Sequence, residues 1–383
     1  RAAERSTGRS GLEFRPMPVP ARPLLLLLFI GALAGAFWRA PSPAAPAFAP
    51  PPAATPSTLP ALFVNEMLWR DAGLVAAAPN LTELPDGRIA AAWLAGPDDA
   101  MAVHFSVRDR GGWRSPVRVA TLETTAGGTF AQIGRLGNPV LHAEGSWLHL
   151  WYGSSMLGSS INHSVSTDGG KSWTKPVRLQ TSPFANFGGA VRTAPVTLAD
   201  GGLGLAISHD FIGQHGEWLR LSPTGQILDK LRLPATTGTL QPAVAALDEQ
   251  RAMAMLRDAG PVPESVRVAT TDSGGQRWQA GEALAVPNPN ASVALLRLKS
   301  GRLLLAGNPA GGRQALLLWL SADQGKTWQE ARTVETAPDG GADYGNPSLL
   351  LGRDGRIHLA YDWRRQGIKA VTFSEAWLDG AQP

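Results

Sequence analysis

The chain of 383 residues combines 43 glycines and 31 prolines with only 17% charged residues and no cysteine. Residues 1–40 hold six arginines against two glutamates, which accounts for the whole formal net charge of +4 and leaves the remainder balanced. This composition suits a turn-rich β protein. It excludes disulfides and thiolate metal sites. It also shows no excess of basic residues beyond residue 40 that would favour binding of nucleic acid.

The N-terminal part divides into an extension (1–23), an uncharged apolar run (24–38) and a Pro/Ala-rich linker (39–61). The run is shorter than the ~20 residues that span a bilayer and is typical of a signal-peptide core. We therefore expect export, to the periplasm or to a membrane-anchored position facing it. The signal is either cleaved, with a small-x-small site at Ala47-Phe48-Ala49, or retained as an anchor. Met17 is a natural start for this signal, and residues 1–16 are then an over-extension of the gene model.

From residue 62 to about residue 380 the chain alternates short apolar runs with turn signals. Residues 166–173 read Ser-Thr-Asp-Gly-Gly-Lys-Ser-Trp and residues 321–328 read Ser-Ala-Asp-Gln-Gly-Lys-Thr-Trp. In such a hairpin Asp can accept backbone N–H groups, Gly can take a positive φ and Trp adds an apolar plate. The pattern resembles the Asp box of sialidase-type β-propellers. We expect its residues to be structural, namely Asp168, Trp173, Asp323 and Trp328, and in a degenerate copy Asp272 and Trp278.

The spacing of the box tryptophans gives the number of repeats. They fall at positions 113, 173, 278 and 328, and the longest interval has a boxless turn signal midway, at residues 221–226. At roughly 50 residues per blade, residues 62–380 predict an all-β, six-bladed propeller of four-stranded antiparallel blades. A β-sandwich is the alternative, and it lacks this period.

The last third extends the resemblance to the bacterial sialidase-like family of Asp-box propellers. Short motifs follow in the family's order: Met255-Leu256-Arg257-Asp258, residues 287–292, Asn308-Pro309 with Arg313, residues 343–348 and residues 361–365. Sialidases use a Tyr nucleophile, and an arginine cluster clamps the substrate carboxylate. The resemblance implies Tyr344 as nucleophile, Arg257 and Arg313 as clamp residues, and Asp98 or Asp99 as the acid.

Two positions depart from the family pattern. Ala77-Ala78-Pro79 stands where the first clamp arginine belongs, and Gln241 stands where a Glu would activate the tyrosine. Arg192, Arg364 or Arg365 are candidates to replace the arginine, and His209-Asp210 or Asp258 to act as base. The amides of Asn288, Asn290 and Asn308 suit hydroxyl-rich sugars, although Asn beside Pro is commonly a turn former.

Three functions remain open at this point. The first is an exported exo-glycosidase that removes a terminal acidic sugar such as sialic acid from a glycan. The second is a non-catalytic glycan-binding propeller, and the third is a polysaccharide lyase on the same scaffold. No His/Asp/Glu spacing indicates a metal site and no glycine-rich loop indicates a phosphate site, so neither metal nor cofactor is expected.

Overall fold

The computed structural model describes residues 21–39, 47–156, 158–181, 188–211, 213–234, 238–337 and 340–383. The chain divides into two compact units, Arg1–Ala44 and Ala45–Pro383. In the first unit helix α1 spans Ala21–Arg39, and the predicted apolar run lies within it. Among the described residues, no helix combines the length and the apolar character that crossing a membrane requires.

The second unit is a ring of six antiparallel sheets, as predicted from the repeat. We number the blades in chain order. Blade 1 contains β2 (Val75–Glu83), β3 (Ile89–Gly96), β4 (Ala102–Asp109), β5 (Gly112–Trp113) and β6 (Val117–Ala120). Blade 2 follows α2 (Leu122–Thr129) and contains β7 (Arg135–Glu144), β8 (Trp147–Ser155), β9 (Ser159–Ser166) and β10 (Val177–Arg178). Blade 3 contains β11 (Gly189–Val191), β12 (Val196–Thr197), β13 (Leu203–His209), β14 (His215–Leu221) and β15 (Ile227–Arg232).

The other three blades repeat this arrangement. Blade 4 contains β16 (Thr239–Ala246), β17 (Ala252–Asp258), β18 (Arg267–Thr271) and β19 (Gln279–Ala280). Blade 5 contains β20 (Ala294–Arg297), β21 (Leu303–Gly307), β22 (Ala315–Ser321) and β23 (Gln329–Thr336). Blade 6 contains β24 (Tyr344–Leu351), β25 (Ile357–Trp363), β26 (Gly367–Phe373) and the early strand β1 (Phe63–Arg70), and α3 (Glu375–Leu378) follows it.

The ring is closed by the two ends of the second unit. Strand β1 pairs with β26, from Phe63 opposite Phe373 to Arg70 opposite Gly367. Ahead of β1, residues 47–62 form a strap along the propeller. Its backbone hydrogen bonds include Phe48 N to Glu249 O at 2.8 Å and Thr55 N to Lys299 O at 2.9 Å. The linker predicted for residues 39–61 is therefore held against the propeller from residue 47 onward.

The two complete Asp boxes have the hydrogen bonds that their sequence predicts. Asp168 Oδ1 accepts from the backbone N–H of Lys171 at 3.0 Å and of Ser172 at 2.9 Å. Trp173 Nε1 donates to the Gly170 carbonyl oxygen at 3.2 Å. Asp323 and Trp328 make the corresponding contacts in blade 5. The side chains of each box make their hydrogen bonds within their own turn. Their role is therefore structural.

The degenerate box in blade 4 begins one residue later in the structure than its sequence pattern predicts. Thr271 Oγ1 accepts from Gly275 N at 3.2 Å, as Ser166 Oγ accepts from Gly170 N at 2.8 Å. Ser273 Oγ accepts from Arg277 N at 3.0 Å and so takes the place predicted for Asp272. The spacing to Trp278 is therefore the regular one, with serine standing where other boxes have aspartate.

The hydrophobic core is divided into six clusters, one between each pair of neighbouring blades. Burial of these apolar faces, at about 25 cal/mol per Å², is the main force that holds blade on blade. Since the inner strands start at one end of the ring, their first residues meet around the central channel at that end, which we call the mouth.

Candidate functional site

The inner strands are irregular where they enter the mouth. Pairing is interrupted between Ala77 and Asn80, between Leu240 and Ala243, and between Gly345 and Ser348. In each interruption the residue before a proline is left-handed, with φ of 58° at Ala78, 53° at Gln241 and 48° at Asn346. Such bulges change the direction of backbone groups. A proline at a bulge removes no hydrogen bond between the strands, because the pairing is already interrupted there. The bulges turn peptide groups toward the channel.

Arg192 crosses the mouth from blade 3, where it separates the two short inner strands β11 and β12. It is 2% exposed. Its Nη1 donates to the Pro79 carbonyl oxygen at 3.1 Å, and its Nη2 to the carbonyl oxygens of Asn346 at 2.5 Å and Pro347 at 3.0 Å. Burial lowers the pKa of Arg192 to about 10, so it stays charged at neutral pH. Arg192 thus ties blade 3 to blades 1 and 6.

Asp362 is the buried acid of the mouth, at 2% exposure. Its Oδ1 accepts from Ala78 N at 2.6 Å, and its Oδ2 accepts from Asn346 Nδ2 at 2.6 Å and lies 3.4 Å from Arg313 Nη2. Burial raises the pKa of Asp362 to about 6, against the opposing effects of Arg313, Asn346 and Arg192. Asp362 therefore titrates near the pH range in which most proteins work.

Arg257 and Arg313 converge on the mouth from blades 4 and 5. Arg313 Nε pairs with Asp343 Oδ1 at 2.5 Å. Arg257 has neutral partners: Nε donates to Asn290 Oδ1 at 2.7 Å and Nη1 to Gln241 Oε1 at 3.2 Å. The pKa of Arg257 is lowered first by burial and then by the nearby charge of Arg313. Within the part of the chain that the structure describes, no carboxylate pairs with Arg257.

The charges at the mouth do not cancel. Arg192, Arg257 and Arg313 face the two carboxylates of Asp343 and Asp362, and the pKa of Asp362 near 6 allows it to lose its charge in mild acid. A buried cation without a counter-ion is costly, and such groups are enriched in binding sites. The mouth therefore presents an excess of guanidinium charge that a carboxylate would balance.

Tyr344 lies beside this cluster, and its ring packs against the core. Its N–H donates to the Arg313 carbonyl oxygen at 2.8 Å, and its carbonyl oxygen accepts from Asn308 Nδ2 at 2.7 Å. The Tyr344 side chain is 2% exposed and belongs to the hydrophobic cluster between blades 5 and 6. The next residue is glycine for a steric reason, because a Cβ on Gly345 would lie 2.5 Å from Arg313 Cζ.

Several other predicted site residues are used by local structure. The buried carboxylate of Asp258 accepts from the N–H groups of Gly260 and Glu264 and pairs with Arg267 at 2.9 Å. Asn288 Oδ1 accepts from Asp258 N at 3.1 Å and from Ala291 N at 3.2 Å. Asn288 and Asn308, at 1% and 0% exposure, therefore shape loops and strand ends.

The predicted acids of blade 1 and the predicted substitute arginine of blade 6 lie on the exposed rim. Asp98 and Asp99 belong to the loop between β3 and β4, and Asp98 Oδ1 lies 3.5 Å from Arg365 Nη2. Arg364 is exposed and left-handed, and its Cζ lies 5.3 Å from the Trp363 ring centroid. Both loops join strands at the mouth end of the ring.

Sequence reasoning missed three residues of the mouth: Asp343, Asp362 and Ser292, whose Oγ donates to Gln241 Oε1. A signal for one of them was present, because Asp362 is the one acidic residue of strand β25, in which His358 is the other polar residue among aliphatic and aromatic ones. The other two lie in turn-like sequence, where polar side chains are ordinary.

Among the described residues, one group of side chains has its potential ligand atoms close enough together to hold a metal ion. Ligand atoms of His209, His215 and Glu217 lie within 4.8 Å of one another. Lys230 Nζ lies 3.3 Å from Glu217 Oε1, and the pKa of His215 is lowered by burial and then by Arg232. These cations disfavour a further positive ion there, and we assign no metal to the group.

The fold and the box geometry define a class of protein, the Asp-box β-propeller. A model of the BNR repeat-like domain family matches residues 87–359, and the chain belongs to this sialidase-like propeller family. A comparison with curated proteins gave no match.

Several solved structures share the fold. The Hadza microbial sialidase Hz136 is 16% identical, with a TM-score of 0.67 over 80% of this chain and 68% of that one. A protein of unknown function from Dyadobacter fermentans DSM 18053 is 16% identical, with a TM-score of 0.66 over 81% and 97%. Trypanosoma rangeli sialidase is 15% identical, with a TM-score of 0.59 over 79% of this chain and 55% of its own. At these identities the likeness concerns the fold.

Proposed function

We propose that this protein recognises a terminal acidic sugar, of the sialic acid type, at the channel mouth. The observation that carries the proposal is Arg257, whose half-buried guanidinium has amide partners and lies near Arg313. A sugar carboxylate placed between Arg257 and Arg313 would receive charge-assisted hydrogen bonds and supply the missing negative charge. Gln241 and Asn290 would hold Arg257 in place, which is a role for which amides are suited.

Binding without turnover is the form of this function that the geometry favours. The Tyr344 ring is packed between blades, and Gln241 has no basic oxygen to take a proton. Asp258 is committed to backbone N–H groups and to Arg267. In this arrangement the arginines supply recognition, and the candidate base Asp258 is occupied elsewhere.

Hydrolysis of the same sugar is the second candidate. It is favoured by the hydrogen bond from Tyr344 N to the Arg313 carbonyl oxygen, which fixes the tyrosine backbone beside the clamp. In this mechanism the phenol would attack the anomeric carbon and a rim acid, Asp98 or Asp99, would protonate the leaving oxygen.

The experiment is a titration with the α-methyl glycoside of N-acetylneuraminic acid, followed by calorimetry. We expect Arg257→Ala and Arg313→Ala to weaken binding roughly 100-fold, about 2–3 kcal/mol for a lost charge-assisted contact. Arg302→Ala is the matched control, since Arg302 pairs with Glu375 of α3 and with Asp379 directly after it, away from the mouth. Equal affinity in all three variants, or no binding by the wild type, would refute the proposal.

A fluorogenic sialoside separates the two candidates. Release of the fluorophore by the wild type, lost in Tyr344→Phe with ligand affinity retained, would establish hydrolysis. Release of an unsaturated uronate from an acidic polysaccharide would instead establish the lyase. Binding with neither product leaves recognition as the function.

We also propose export, on the apolar run 24–38. Phe48 lies in the core between blades 3 and 4 at 0% exposure, so cleavage after Ala49 would remove a core side chain. A retained anchor, or cleavage upstream of residue 47, is therefore favoured. Fractionation of cells that express the full chain with a C-terminal tag tests this, and recovery of the tag in the cytoplasm alone would refute it.

A further inference from the structure

Tryptophans close the junctions between blades. The box residues Trp173, Trp278 and Trp328 lie in the junctions that precede blades 2, 4 and 5. Trp173 meets Phe105 of blade 1 with ring centroids 5.6 Å apart, and Trp278 meets Trp218 of blade 3 at 5.5 Å. These side chains come from turns at the end of the ring opposite the mouth.

The two junctions that flank blade 6 are filled in the same manner. Trp113, from the remnant box of blade 1, packs between blades 6 and 1. Trp377 of α3 packs between blades 5 and 6 and stacks on Phe63 at 4.5 Å. In five junctions, therefore, a tryptophan from a turn or from the terminal helix occupies this position.

The junction between blades 2 and 3 differs because blade 3 has lost its box. The turn between β14 and β15 is residues 222–226, a short turn closed by Gly225 N to Ser222 O at 2.8 Å. It carries no tryptophan. An open groove of about 570 Å³ lies there, between Trp147, Trp151 and His163 on blade 2 and Leu203, Pro223 and Thr224 on blade 3.

The blade 2 side of this groove is a wall of nearly parallel rings. Trp147 lies at 18° to His149, His149 at 10° to Trp151, and Trp151 at 12° to His163. Trp147 is 53% exposed, so the wall reaches from the core to the solvent. The exposed Trp147 at the outer end of this wall can pack on a ligand that has a flat apolar face.

The groove is nearly uncharged. His149 Nδ1 and His163 Nε2 share a hydrogen bond at 3.0 Å. The pKa of His163 is lowered to about 4, first by burial and then by His149, so the imidazole is neutral at pH 7. Glu144, which is exposed, is the charged side chain among the described residues that line the groove. Trp151 Nε1 is buried and has no acceptor among the described residues.

We propose that this groove binds a neutral pyranose unit of a glycan. A pyranose has an apolar C–H face that packs on aromatic rings, and its edge carries hydroxyls that match imidazole and indole nitrogens. An acidic sugar would find no cation in the groove, and a nucleotide would find none for its phosphate. The site is separate from the mouth and does not depend on the function proposed there.

The experiment is saturation-transfer NMR and calorimetry on the full chain with four neutral probes: lactose, N-acetyllactosamine, cellobiose and maltotriose. We expect at least one to bind, and its Kd to rise tenfold or more in Trp147→Ala. Thr224→Trp places an indole in the turn that lost its box and should reduce binding equally while leaving the aromatic wall intact. Both positions are exposed, and far-UV circular dichroism verifies folding.

Arg313→Ala is the control, because it alters the mouth and leaves the groove unchanged. Its Kd for the neutral probe should stay within twofold of the wild type. The proposal is overturned if none of the four probes binds, if adenosine binds and the sugars do not, or if binding is lost in Arg313→Ala and kept in Trp147→Ala.

Discussion

Arg192 Nη1 donates to the carbonyl oxygen of Pro79 at 3.1 Å, which joins side chain and backbone from blades that are not neighbours in the ring. The same guanidinium serves carbonyl oxygens of blade 6. Neighbouring blades hold one another by apolar packing, whereas Arg192 fixes distances across the channel. The mouth geometry therefore depends on one buried cation.

Replacing Arg192 should destabilise the propeller. Arg192→Met leaves three inward carbonyl groups without their donor, and we expect a loss of about 3 kcal/mol in the free energy of unfolding. Urea denaturation measures it. Arg364→Met is the control, because Arg364 is exposed and its guanidinium lies over the Trp363 ring. This change should alter the free energy of unfolding by less than about 0.5 kcal/mol. Equal losses of stability in the two variants would mean that the hydrogen bonds from Arg192 to the carbonyl groups do not stabilise the propeller.

Ligand binding at the mouth should depend on Asp362. Above its pKa of about 6, its charge partly neutralises Arg192 and Arg313, and below that pH the arginines are released for an anion. A sugar carboxylate stays ionised in this range. Affinity for the sialic acid glycoside should therefore rise about tenfold between pH 7 and pH 5, as for one protonation linked to binding. Asp362→Asn should abolish the pH dependence, and a retained dependence would contradict this.

The stability of the protein should respond to the same group with a defined sign. Since the folded-state pKa of Asp362 is raised from 3.8 to about 6, the folded state keeps a proton that the unfolded state releases. The contribution of Asp362 to the free energy of unfolding therefore falls as the pH rises from about 4 to about 6 and is constant above that. Denaturation midpoints of wild type and Asp362→Asn across this range measure the difference.

Two adjacent glycines of the blade 2 box should differ in their tolerance of a methyl group. Gly169 has φ of 74° and open space around a Cβ, so Gly169→Ala should cost only the left-handed backbone, about 1 kcal/mol. Gly170 has φ of 90°, and a Cβ would lie 2.2 Å from Phe105 Cε1. We expect Gly170→Ala to cost about 2 kcal/mol more. Phe105→Leu should recover part of that excess, and an equal cost for both glycines would disprove the contact.

The strap should contribute to the core through Phe48. Its ring is fully buried and lies 6.0 Å from the Trp218 ring, so Phe48→Ala should cost about 3–4 kcal/mol. Thermal denaturation compares it with Thr58→Ala, a change at an exposed position of the same strap. A Phe48→Ala midpoint as high as that of Thr58→Ala would show that the strap is not part of the folded unit.

The parts of the fold that the sequence predicts correctly depend on neighbouring residues. Ser166 donates to Asp168 and Trp173 donates to the Gly170 carbonyl oxygen within a single turn, and the recurrence of that turn along the chain is enough to predict six blades. The mouth is formed by residues that are far apart in the sequence. The hydrogen bond from Ala78 N to Asp362 joins positions 284 residues apart, and nothing near either residue marks the other. For this reason Arg257 and Arg313 are found by resemblance, while the contact of Asp362 with Ala78 and the crossing of Arg192 become visible only in the closed ring.

The pairing of Phe63 with Phe373 has a consequence for the order of folding. Strand β1 is synthesised before the other strands of the propeller and must remain without its partner until the last blade has been made. Contacts between such distant positions form slowly, and an unpaired strand edge invites aggregation meanwhile. Blades 1 to 5 can assemble as an open arc during that interval, but the arginine-lined mouth exists only after the final strand has been released.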